Sequence, residues 1–186
     1  LVTMIVEGED SWMFQIPGTK LVRLQAELCG CEWLPVTTQG EAEKEVDDLK
    51  IALTKLDIDG IVSGALRSDY QKTRLERMSE ELGIKSFTPL WHQSSDSHMS
   101  NLVANGFKVM ITGVSTEGLD SDWLGCILDE DSLQKLSRIA SKYRFHVDGE
   151  GGEYETLVVA GPHMTGELEI DFVKHWDGVR GHLSFQ

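Results

Sequence analysis

The segment Gly60-Ile-Val-Ser-Gly-Ala-Leu-Arg-Ser-Asp-Tyr-Gln71 joins a short apolar strand to the start of a helix through a glycine-containing loop. Ser68 and Gln71 have the spacing of a helix capping box, and Gly83 stands where that helix would end. Unpaired backbone N–H groups and the positive end of the helix dipole attract anions such as phosphate at a helix N-terminus. The segment therefore predicts a strand, a loop and a helix, and the loop fits either a phosphate site or a plain turn.

The same alternation of strand and helix continues on both sides of this segment. Strands are predicted over residues 1–6, 33–37, 60–63, 85–87 and 108–114, and helices over residues 20–29, 41–56, 68–82, 95–105 and 131–143. Residues 8–18 are predicted to form a loop that carries Trp12 and Phe14. Such alternation favours an α/β fold with a doubly wound parallel sheet, and we expect this domain to cover residues 1–122.

The C-terminal part, residues 123–186, shows a different pattern. Acidic and apolar residues alternate over residues 167–172, which is typical of a half-buried antiparallel strand. Asp177-Gly178 is a hairpin turn signal, and the alternation resumes at Leu183 and Phe185. We therefore expect a small α+β part that packs against the sheet domain.

Composition limits the partners of the chain. Its 17 basic and 31 acidic residues give a formal charge of -14, which disfavours binding to nucleic acid or anionic membranes. No apolar run approaches the roughly 20 residues of a membrane span, and no secretory signal is present, so we expect a cytoplasmic protein. The three cysteines are expected to be reduced thiols, and the six scattered histidines predict no metal site.

A second segment, His146-Val-Asp-Gly-Glu-Gly-Gly-Glu-Tyr-Glu-Thr156, places three glycines among three glutamates. Crowded carboxylates repel one another unless they face water, a cation, a metal ion or a hydrogen-bonding substrate. Trp91, Trp123 and Tyr154 lie in or beside the predicted ligand loops, and an aromatic face attracts a cation. The pattern fits a solvated turn with hydrophobic lids, and it equally fits a site for a positively charged group.

Four segments together resemble the successive motifs of the diphthine–ammonia ligase family. They are Gly64-Ala-Leu-Arg-Ser-Asp-Tyr-Gln-Lys-Thr-Arg74, Thr88-Pro-Leu-Trp91, Gly113-Val-Ser-Thr-Glu-Gly-Leu-Asp-Ser-Asp-Trp-Leu-Gly125 and Gly149-Glu-Gly-Gly-Glu-Tyr-Glu-Thr156. The resemblance covers most of the chain, and its last motif is the most specific. Because this family belongs to the ATP pyrophosphatase group, the resemblance implies a Rossmann-like fold of the adenine nucleotide alpha hydrolase type.

The resemblance also implies an activity, the last step of diphthamide formation on translation elongation factor two. In that step ATP activates the carboxylate of diphthine as an acyl adenylate, ammonia displaces AMP, and pyrophosphate leaves. ATP is then a cosubstrate with Mg²⁺, and the modified elongation factor is the protein partner. The oligomeric state stays open, a homo-oligomer included, as does the source of ammonia.

By the same resemblance, three groups of residues are expected to serve the reaction. The nucleotide contacts would be Ser63, Gly64, Ala65, Gln71 and Arg74. The catalytic residues would be Glu150 and Glu153, and the substrate contacts Trp91, Tyr154 and Glu155. The role of each glutamate, in holding the cationic substrate, ammonia or Mg²⁺, stays open.

The sequence departs from the family pattern at its beginning. The family starts with a strand followed by a Ser-Gly-Gly-x-Asp-Ser loop that binds the ATP phosphates, and no such loop is present. The chain opens on an apolar strand at Leu1 without a start methionine, so we expect the native beginning to lie upstream. Two alternatives also remain, an RNA-modifying ATP pyrophosphatase of the same group and a non-catalytic domain that binds a nucleotide or a partner.

Overall fold

The computed structural model describes residues 1–8, 11, 13–14 and 18–186. Trp12 of the predicted loop lies outside the described residues, whereas Phe14 is half-buried. The chain divides into two compact units, which are described one at a time. The first unit comprises Leu1–Thr19 and Trp33–Gln93, and the second comprises Lys20–Glu32 and Ser94–Gln186.

Eight strands and five α-helices make up the described chain. In chain order they are β1 (Val2–Val6), α1 (Val22–Leu28), β2 (Leu34–Thr38), α2 (Lys44–Leu53), β3 (Gly60–Val62), α3 (Asp69–Leu82), β4 (Lys85–Phe87), α4 (Ser95–Ala104), β5 (Lys108–Val114), α5 (Glu130–Tyr143), β6 (Tyr154–Ala160), β7 (Phe172–Trp176) and β8 (Gly181–Phe185). Two 3₁₀ turns, Thr19–Leu21 and Ser121–Trp123, precede α1 and follow β5. The strand and helix assignments made from periodicity up to residue 143 are therefore confirmed, with ends that differ by a few residues.

The first unit contains two separate parallel strand pairs. β1 pairs with β2, and β3 pairs with β4. Helix α3 begins where the sequence predicts, because the Ser68 hydroxyl accepts a hydrogen bond from the Gln71 N–H at 3.3 Å. It ends at Gly83, whose φ of 70° is readily adopted only by glycine. The parallel pairing confirms part of the predicted α/β architecture.

The second unit is built on a four-stranded antiparallel sheet in the order β6-β5-β8-β7. β5 is almost entirely buried, yet it does not continue a parallel sheet as expected, because both of its neighbours run antiparallel to it. Alternation of strand and helix does not specify the direction in which the chain returns, so the pattern alone could not distinguish these pairings. Residues 94–122 pack in this unit.

The C-terminal hairpin is confirmed, but its first strand begins later than predicted. The turn lies between Asp177 and Arg180, where the Asp177 N–H donates to the Arg180 carbonyl at 3.0 Å. The strand predicted over residues 167–172 instead occupies Phe172–Trp176. Residues 167–171 still alternate between exposed and less exposed positions, with Leu168 buried in the core. Hydrophobic alternation thus identified the buried face correctly without identifying the paired residues.

Candidate functional site

The predicted nucleotide residues lie in the first unit, where the loops that follow β3 and β4 are neighbours. The Ser63 N–H donates to the Phe87 carbonyl at 3.0 Å, and the Ser63 and Thr88 hydroxyls lie 3.3 Å apart. Arg67 donates to the Gln93 carbonyl at 2.6 Å and so joins the two loops further along. Because both loops follow the carboxyl ends of parallel strands, they lie where open α/β sheets bind ligands.

Gly64, near the start of the loop after β3, has free space beside its α-carbon. A β-carbon placed on Gly64 would have no neighbour within 4 Å, and the residue is exposed. Four residues later the Ser68 cap opens α3, a helix of 14 residues. Backbone N–H groups and the helix dipole are therefore available beside an open surface, which is the chemistry that a phosphate group requires.

Two of the predicted nucleotide contacts already have protein partners. The Gln71 side-chain amide donates to the Met13 carbonyl at 3.0 Å, so it does not complete the capping box. Arg74 lies 3.4 Å from the centre of the Tyr70 ring, and its Nε donates to Glu43 at 2.8 Å. The hydrogen bond from Arg74 lowers the pKa of the Glu43 carboxyl. No local pattern in the sequence indicates that Glu43 binds this arginine, because 31 residues separate the two.

Trp91 presents an aromatic face that already attracts a cation. Its ring stacks on His92 with centroids 4.7 Å apart, and the Lys72 ammonium lies 5.2 Å from the ring centre. Trp91 is half-buried, so one part of the ring remains accessible. This environment is consistent with the predicted role of Trp91 in contacting a positively charged group.

An apolar groove separates β1 from β3 in the same unit. Its volume is about 490 Å³, and its walls include Val2 and Met4 of β1, Ile61 and Val62 of β3, and Leu75 of α3. Val62 is 74% exposed, an unusual state for a valine in a strand. Among the described strands, β1 pairs only with β2 and β3 only with β4.

The facing edges of β1 and β3 retain backbone hydrogen-bonding capacity. The Ser63 N–H bonds to β4, so the alternate residue Val62 directs its backbone N–H and C=O to the opposite edge. The Leu1 carbonyl and the Glu7 N–H bond to β2, so Met4 likewise faces away from β2. The groove is therefore bordered by two strand edges that can each pair with another strand.

The predicted catalytic residues lie in the second unit, in the glycine-rich loop before β6. Gly149 and Gly152 have φ angles of 76° and 79°, so two of the three glycines are required for the loop conformation. The Glu153 carboxylate accepts hydrogen bonds from the backbone N–H groups of Gly151 at 2.8 Å and His146 at 3.3 Å. Glu153 thus braces the loop, whereas Glu150 is exposed.

Tyr154 is only 3% exposed and belongs to the core of the second unit. Its hydroxyl donates to the Val147 carbonyl, and burial raises the pKa of the phenol. A ring in this position packs among core side chains instead of facing a substrate, which does not fit the contact with a cation that the resemblance implied. The residue instead holds the glycine-rich loop against the sheet.

Glu155 is half-buried and lies on the face of β6 opposite to that of Tyr154. Burial raises the pKa of its carboxyl. Its side chain packs against Gly113, where a β-carbon would lie 3.3 Å from both Cβ and Cγ of Glu155. The hydrogen bonds and ion pairs found among the described residues include none that involves the Glu155 side chain.

Ser115 is a loop residue that sequence reasoning did not single out. Its backbone N–H donates to the Glu153 carbonyl at 2.8 Å, and its hydroxyl donates to the Gly152 carbonyl. Ser115 therefore ties the end of β5 to the glycine-rich loop. Its position directly after β5, within one of the resemblance motifs, was the available signal.

No group of three or more His, Cys, Asp or Glu side chains in the described part of the chain is arranged to hold a metal ion. Over the same residues, none of the helices is both long and apolar enough to cross a membrane. The residues suited to a nucleotide are those of the loop pair after β3 and β4, while the glutamate-rich loop belongs to the other unit.

Comparison with known proteins identifies relatives of both halves of the chain. Residues 1–86 match the diphthamide synthase N-terminal domain, and residues 94–186 match the diphthamide synthase C-terminal domain. The human protein named diphthine–ammonia ligase is 31% identical over 178 residues, which cover 87% of this chain and 66% of the human protein. The zebrafish (Danio rerio) protein of that name is 32% identical, with 87% and 69% covered.

The Schizosaccharomyces pombe protein of the same name is 33% identical over 191 residues, which cover 91% of this chain and 31% of the yeast protein. The chain thus spans about two thirds of the vertebrate relatives and under a third of the yeast relative. The two domain matches are adjacent and together cover nearly all of the sequence. The family relationship therefore does not depend on any single motif. The chain belongs to the diphthamide synthase family.

Proposed function

We propose that this protein is an ATP-dependent carbon–nitrogen ligase that converts diphthine and ammonia into diphthamide on translation elongation factor two in the cytoplasm. The observation that carries the proposal is the contact between the loops after β3 and β4. These loops bring exposed Gly64, the N-terminus of α3 and the cation-attracting Trp91 into one unit. The names of the relatives supply the reaction class.

ATP would bind at the loop pair, with its phosphates near Ser63, Gly64 and Ala65 and the N-terminus of α3. A carboxylate oxygen is a poor leaving group, and transfer of AMP to the carboxylate of diphthine makes it a good one. The protein then needs mainly to position the reactants and to stabilise charge. Mg²⁺ would arrive with the phosphates, since it is commonly bound through phosphate oxygens and water with few protein ligands.

The groove between β1 and β3 has the features expected for the strand that precedes the Ser-Gly-Gly-x-Asp-Ser loop in the ATP pyrophosphatase group. A strand placed there would pair with both free edges, cover Val62 and join the two parallel pairs into one doubly wound sheet. The loop after this strand would then lie beside the carboxyl ends of β1 and β3, next to residues 63–68. We propose that nucleotide binding depends on this strand.

Amide exchange tests the strand proposal. A peptide with the family strand and loop, added to the protein, should slow hydrogen exchange at the Met4 and Val62 amides, which face the groove. The Leu157 amide in the second unit serves as the control and should not change. Unaltered exchange at Met4 and Val62 under saturating peptide would contradict the proposal.

The trimethylammonium group of diphthine would contact the carboxylates of the glycine-rich loop, since negative charge attracts a fixed cation. Glu150 is the exposed carboxylate of that loop, and Glu153 holds the loop conformation while adding its charge. The formal charge of -14 also favours a protein partner over RNA.

An assay of the full-length protein with ATP, ammonia and the modified elongation factor tests the proposed function. We expect stoichiometric AMP, pyrophosphate and diphthamide. Glu153→Gln should abolish product, with Glu169→Gln, an exposed glutamate outside the loop, as the matched control. Nucleotide binding without turnover by the wild-type protein would instead support a non-catalytic domain, and a gel shift with transfer RNA would support an RNA-modifying enzyme.

A further inference from the structure

Strand β7 forms one outer edge of the antiparallel sheet in the second unit, where the strand order is β6-β5-β8-β7. Two hydrogen bonds just beyond the paired residues define the pattern: the Asp177 N–H donates to the Arg180 carbonyl at 3.0 Å, and the Gln186 N–H donates to the Asp171 carbonyl at 3.1 Å. Residues that face the partner strand alternate with residues that face away from it, and the pairing of β7 with β8 contains no bulge. Three residues therefore direct their backbone N–H and C=O groups away from β8, namely Phe172, Lys174 and Trp176.

The outward backbone groups of these three residues have no partner in the described part of the chain. Within that part, β7 pairs with β8 alone, and the hydrogen bonds include none to an outward N–H or C=O of β7. Val173, between the first two of the three residues, is 42% exposed, so an apolar side chain borders the edge. A row of unpaired groups along an edge strand is a template for an additional strand.

The opposite outer edge of the same sheet, at β6, is occupied by the unit itself. The Val158 carbonyl accepts a hydrogen bond from the Gln25 side-chain amide at 2.7 Å. The Val159 carbonyl accepts a hydrogen bond from the Leu168 N–H, also at 2.7 Å. Of the two outer edges that the described residues form in this sheet, β7 is therefore the one left open to another chain.

Lys174 lies at the centre of the open edge and selects the charge of a partner. Its side chain is exposed, its ammonium lies 3.5 Å from the Ser121 carbonyl, and the ion pairs among the described residues include none with Lys174. Opposite charges on directly opposed residues stabilise a strand pair, whereas like charges destabilise it. A second β7 strand paired antiparallel about this position would place two lysines opposite each other. A strand with a carboxylate at this position is therefore favoured over a second copy of β7.

The hairpin around Lys174 is locally basic in an acidic chain. Over residues 172–185 it contains Lys174 and Arg180 with two histidines, and its one acidic residue is Asp177, although the whole chain has a formal charge of -14. The Asp177 carboxylate accepts hydrogen bonds from the backbone N–H groups of Val179 at 2.8 Å and Arg180 at 2.7 Å, so it serves the turn. Charges more than about 8 Å away are largely screened at physiological ionic strength, so the nearby basic residues decide which partner charge is attracted.

We propose that β7 binds an acidic, extended segment of a partner protein, which joins the four-stranded sheet as an additional edge strand with a carboxylate opposite Lys174. Backbone hydrogen bonds to the three outward residues supply the affinity, and alternate side chains of the segment supply the selectivity. Apolar side chains of the segment lie on the other face, beside Val173. This interaction is separate from the proposed ligase reaction and uses none of the residues assigned to it.

Two synthetic peptides test the proposal on the full chain, an acetylated Glu-Val-Glu-Val-Glu amide and its counterpart with lysine in place of each glutamate. The acidic peptide should bind in isothermal titration calorimetry and should slow hydrogen exchange at the Phe172, Lys174 and Trp176 amides. The basic peptide should do neither. The Val62 amide is the control, because it also faces an open strand edge but lies in the first unit, and its exchange should not change.

Variants at Lys174 separate the contribution of charge from that of the backbone. Lys174→Glu should weaken the acidic peptide several-fold and allow the basic peptide to bind, since the cross-strand charge pair is reversed. Lys174→Pro should abolish binding of both peptides while β7 stays paired with β8, because proline removes only an N–H that faces away from β8. Lys142→Glu, at an exposed lysine of α5, is the matched control and should leave binding unchanged.

Failure of the acidic peptide to bind, or binding without protection of the three outward amides, would overturn the proposal. Equal affinity of the wild type and Lys174→Glu for the acidic peptide would remove Lys174 from the recognition. Association of the wild-type protein with itself, accompanied by protection of the same amides in the absence of peptide, would assign the edge to a second copy of the chain and would also overturn it.

Discussion

Gly149 and Tyr154 contact each other so closely across the glycine-rich loop that no side chain fits at position 149. A β-carbon there would lie 2.9 Å from the Tyr154 carbonyl oxygen and 3.2 Å from two carbons of its ring. The φ of Gly149 is 76°, a conformation that residues with a side chain rarely adopt. The loop that carries Glu150 and Glu153 therefore depends on the absence of one methyl group.

Gly149→Ala should accordingly destabilise the protein by roughly 1–3 kcal/mol, because the backbone strain and the contact with Tyr154 both oppose the native loop. Urea unfolding monitored by circular dichroism measures the change. Gly166→Ala is the matched control, since its new β-carbon would meet Leu28 at an ordinary 3.5 Å. Equal stability of the two variants would show that the loop has another accessible conformation.

Tyr154→Phe should cost about 1–3 kcal/mol, because it leaves the Val147 carbonyl without its buried hydrogen-bond donor. Tyr143→Phe should change stability far less, because the hydrogen bond that the Tyr143 hydroxyl accepts from Lys142 is exposed to solvent. Burial raises the pKa of Tyr154 above its ordinary value, so the protonated phenol stabilises the folded state. That contribution is complete below about pH 10 and is lost as the pH rises through the folded pKa.

The wild type should therefore lose its stability advantage over Tyr154→Phe at alkaline pH. Urea unfolding of both proteins at about pH 8 and above about pH 10 measures how their difference in stability changes with pH. An advantage that stays constant over this range would mean that the phenol ionises equally in the folded and unfolded states.

Local features of the sequence predicted the elements of this fold well, because their causes are local. Ser68 and Gly83 mark the ends of α3 through contacts within the helix itself. The Asp177-Gly178 signal likewise marks the hairpin, whose turn is closed by the nearby hydrogen bond from the Asp177 N–H to the Arg180 carbonyl. Interactions between residues close together in the sequence are sufficient to predict such features.

Features that depend on distant partners were not predictable in the same way. The antiparallel pairing of β5 is set by β6 and β8, which lie far along the chain. The burial of Tyr154 follows from the packing of the whole second unit, although the residue stands in a polar segment. The ion pair of Arg74 with Glu43 joins α3 to the start of α2. The candidate site is therefore recognisable from its residue types, whereas the partners of each side chain require the fold.

Glu155→Gln should stabilise the protein at neutral pH. Burial raises the pKa of this carboxyl, so the folded state favours the protonated form and ionisation at neutral pH is unfavourable. The favourable contribution of the protonated form is complete below the ordinary glutamate pKa of about 4.3 and is lost as the pH rises through the folded pKa. The amide is neutral throughout, so it avoids that loss.

The melting temperature of Glu155→Gln should therefore exceed that of the wild type at pH 7, and the difference should shrink on acidification. Exposed Glu169→Gln is the control and should show no such trend. A gain that is independent of pH would assign the effect to packing against Gly113 instead of to charge.

Arg74 can bind a nucleotide only if its ion pair with Glu43 breaks. Glu43 also binds Arg77, at 3.1 Å. Glu43→Gln should release the guanidinium and tighten ATP binding several-fold, whereas Arg74→Ala should weaken it, as measured by isothermal titration calorimetry. Glu81→Gln, which breaks the Lys50 ion pair elsewhere in the unit, should leave affinity unchanged.

The double variant Glu43→Gln/Arg74→Ala decides whether the gain passes through Arg74. Removal of a negative charge near the site would strengthen binding of an anion whether or not the arginine is present, since the effect is a general electrostatic one. If Glu43→Gln acts by releasing Arg74, it should increase ATP affinity only in a protein that still contains Arg74. Affinity in the double variant should therefore equal that of Arg74→Ala alone, and any further tightening would remove Arg74 from the nucleotide contacts.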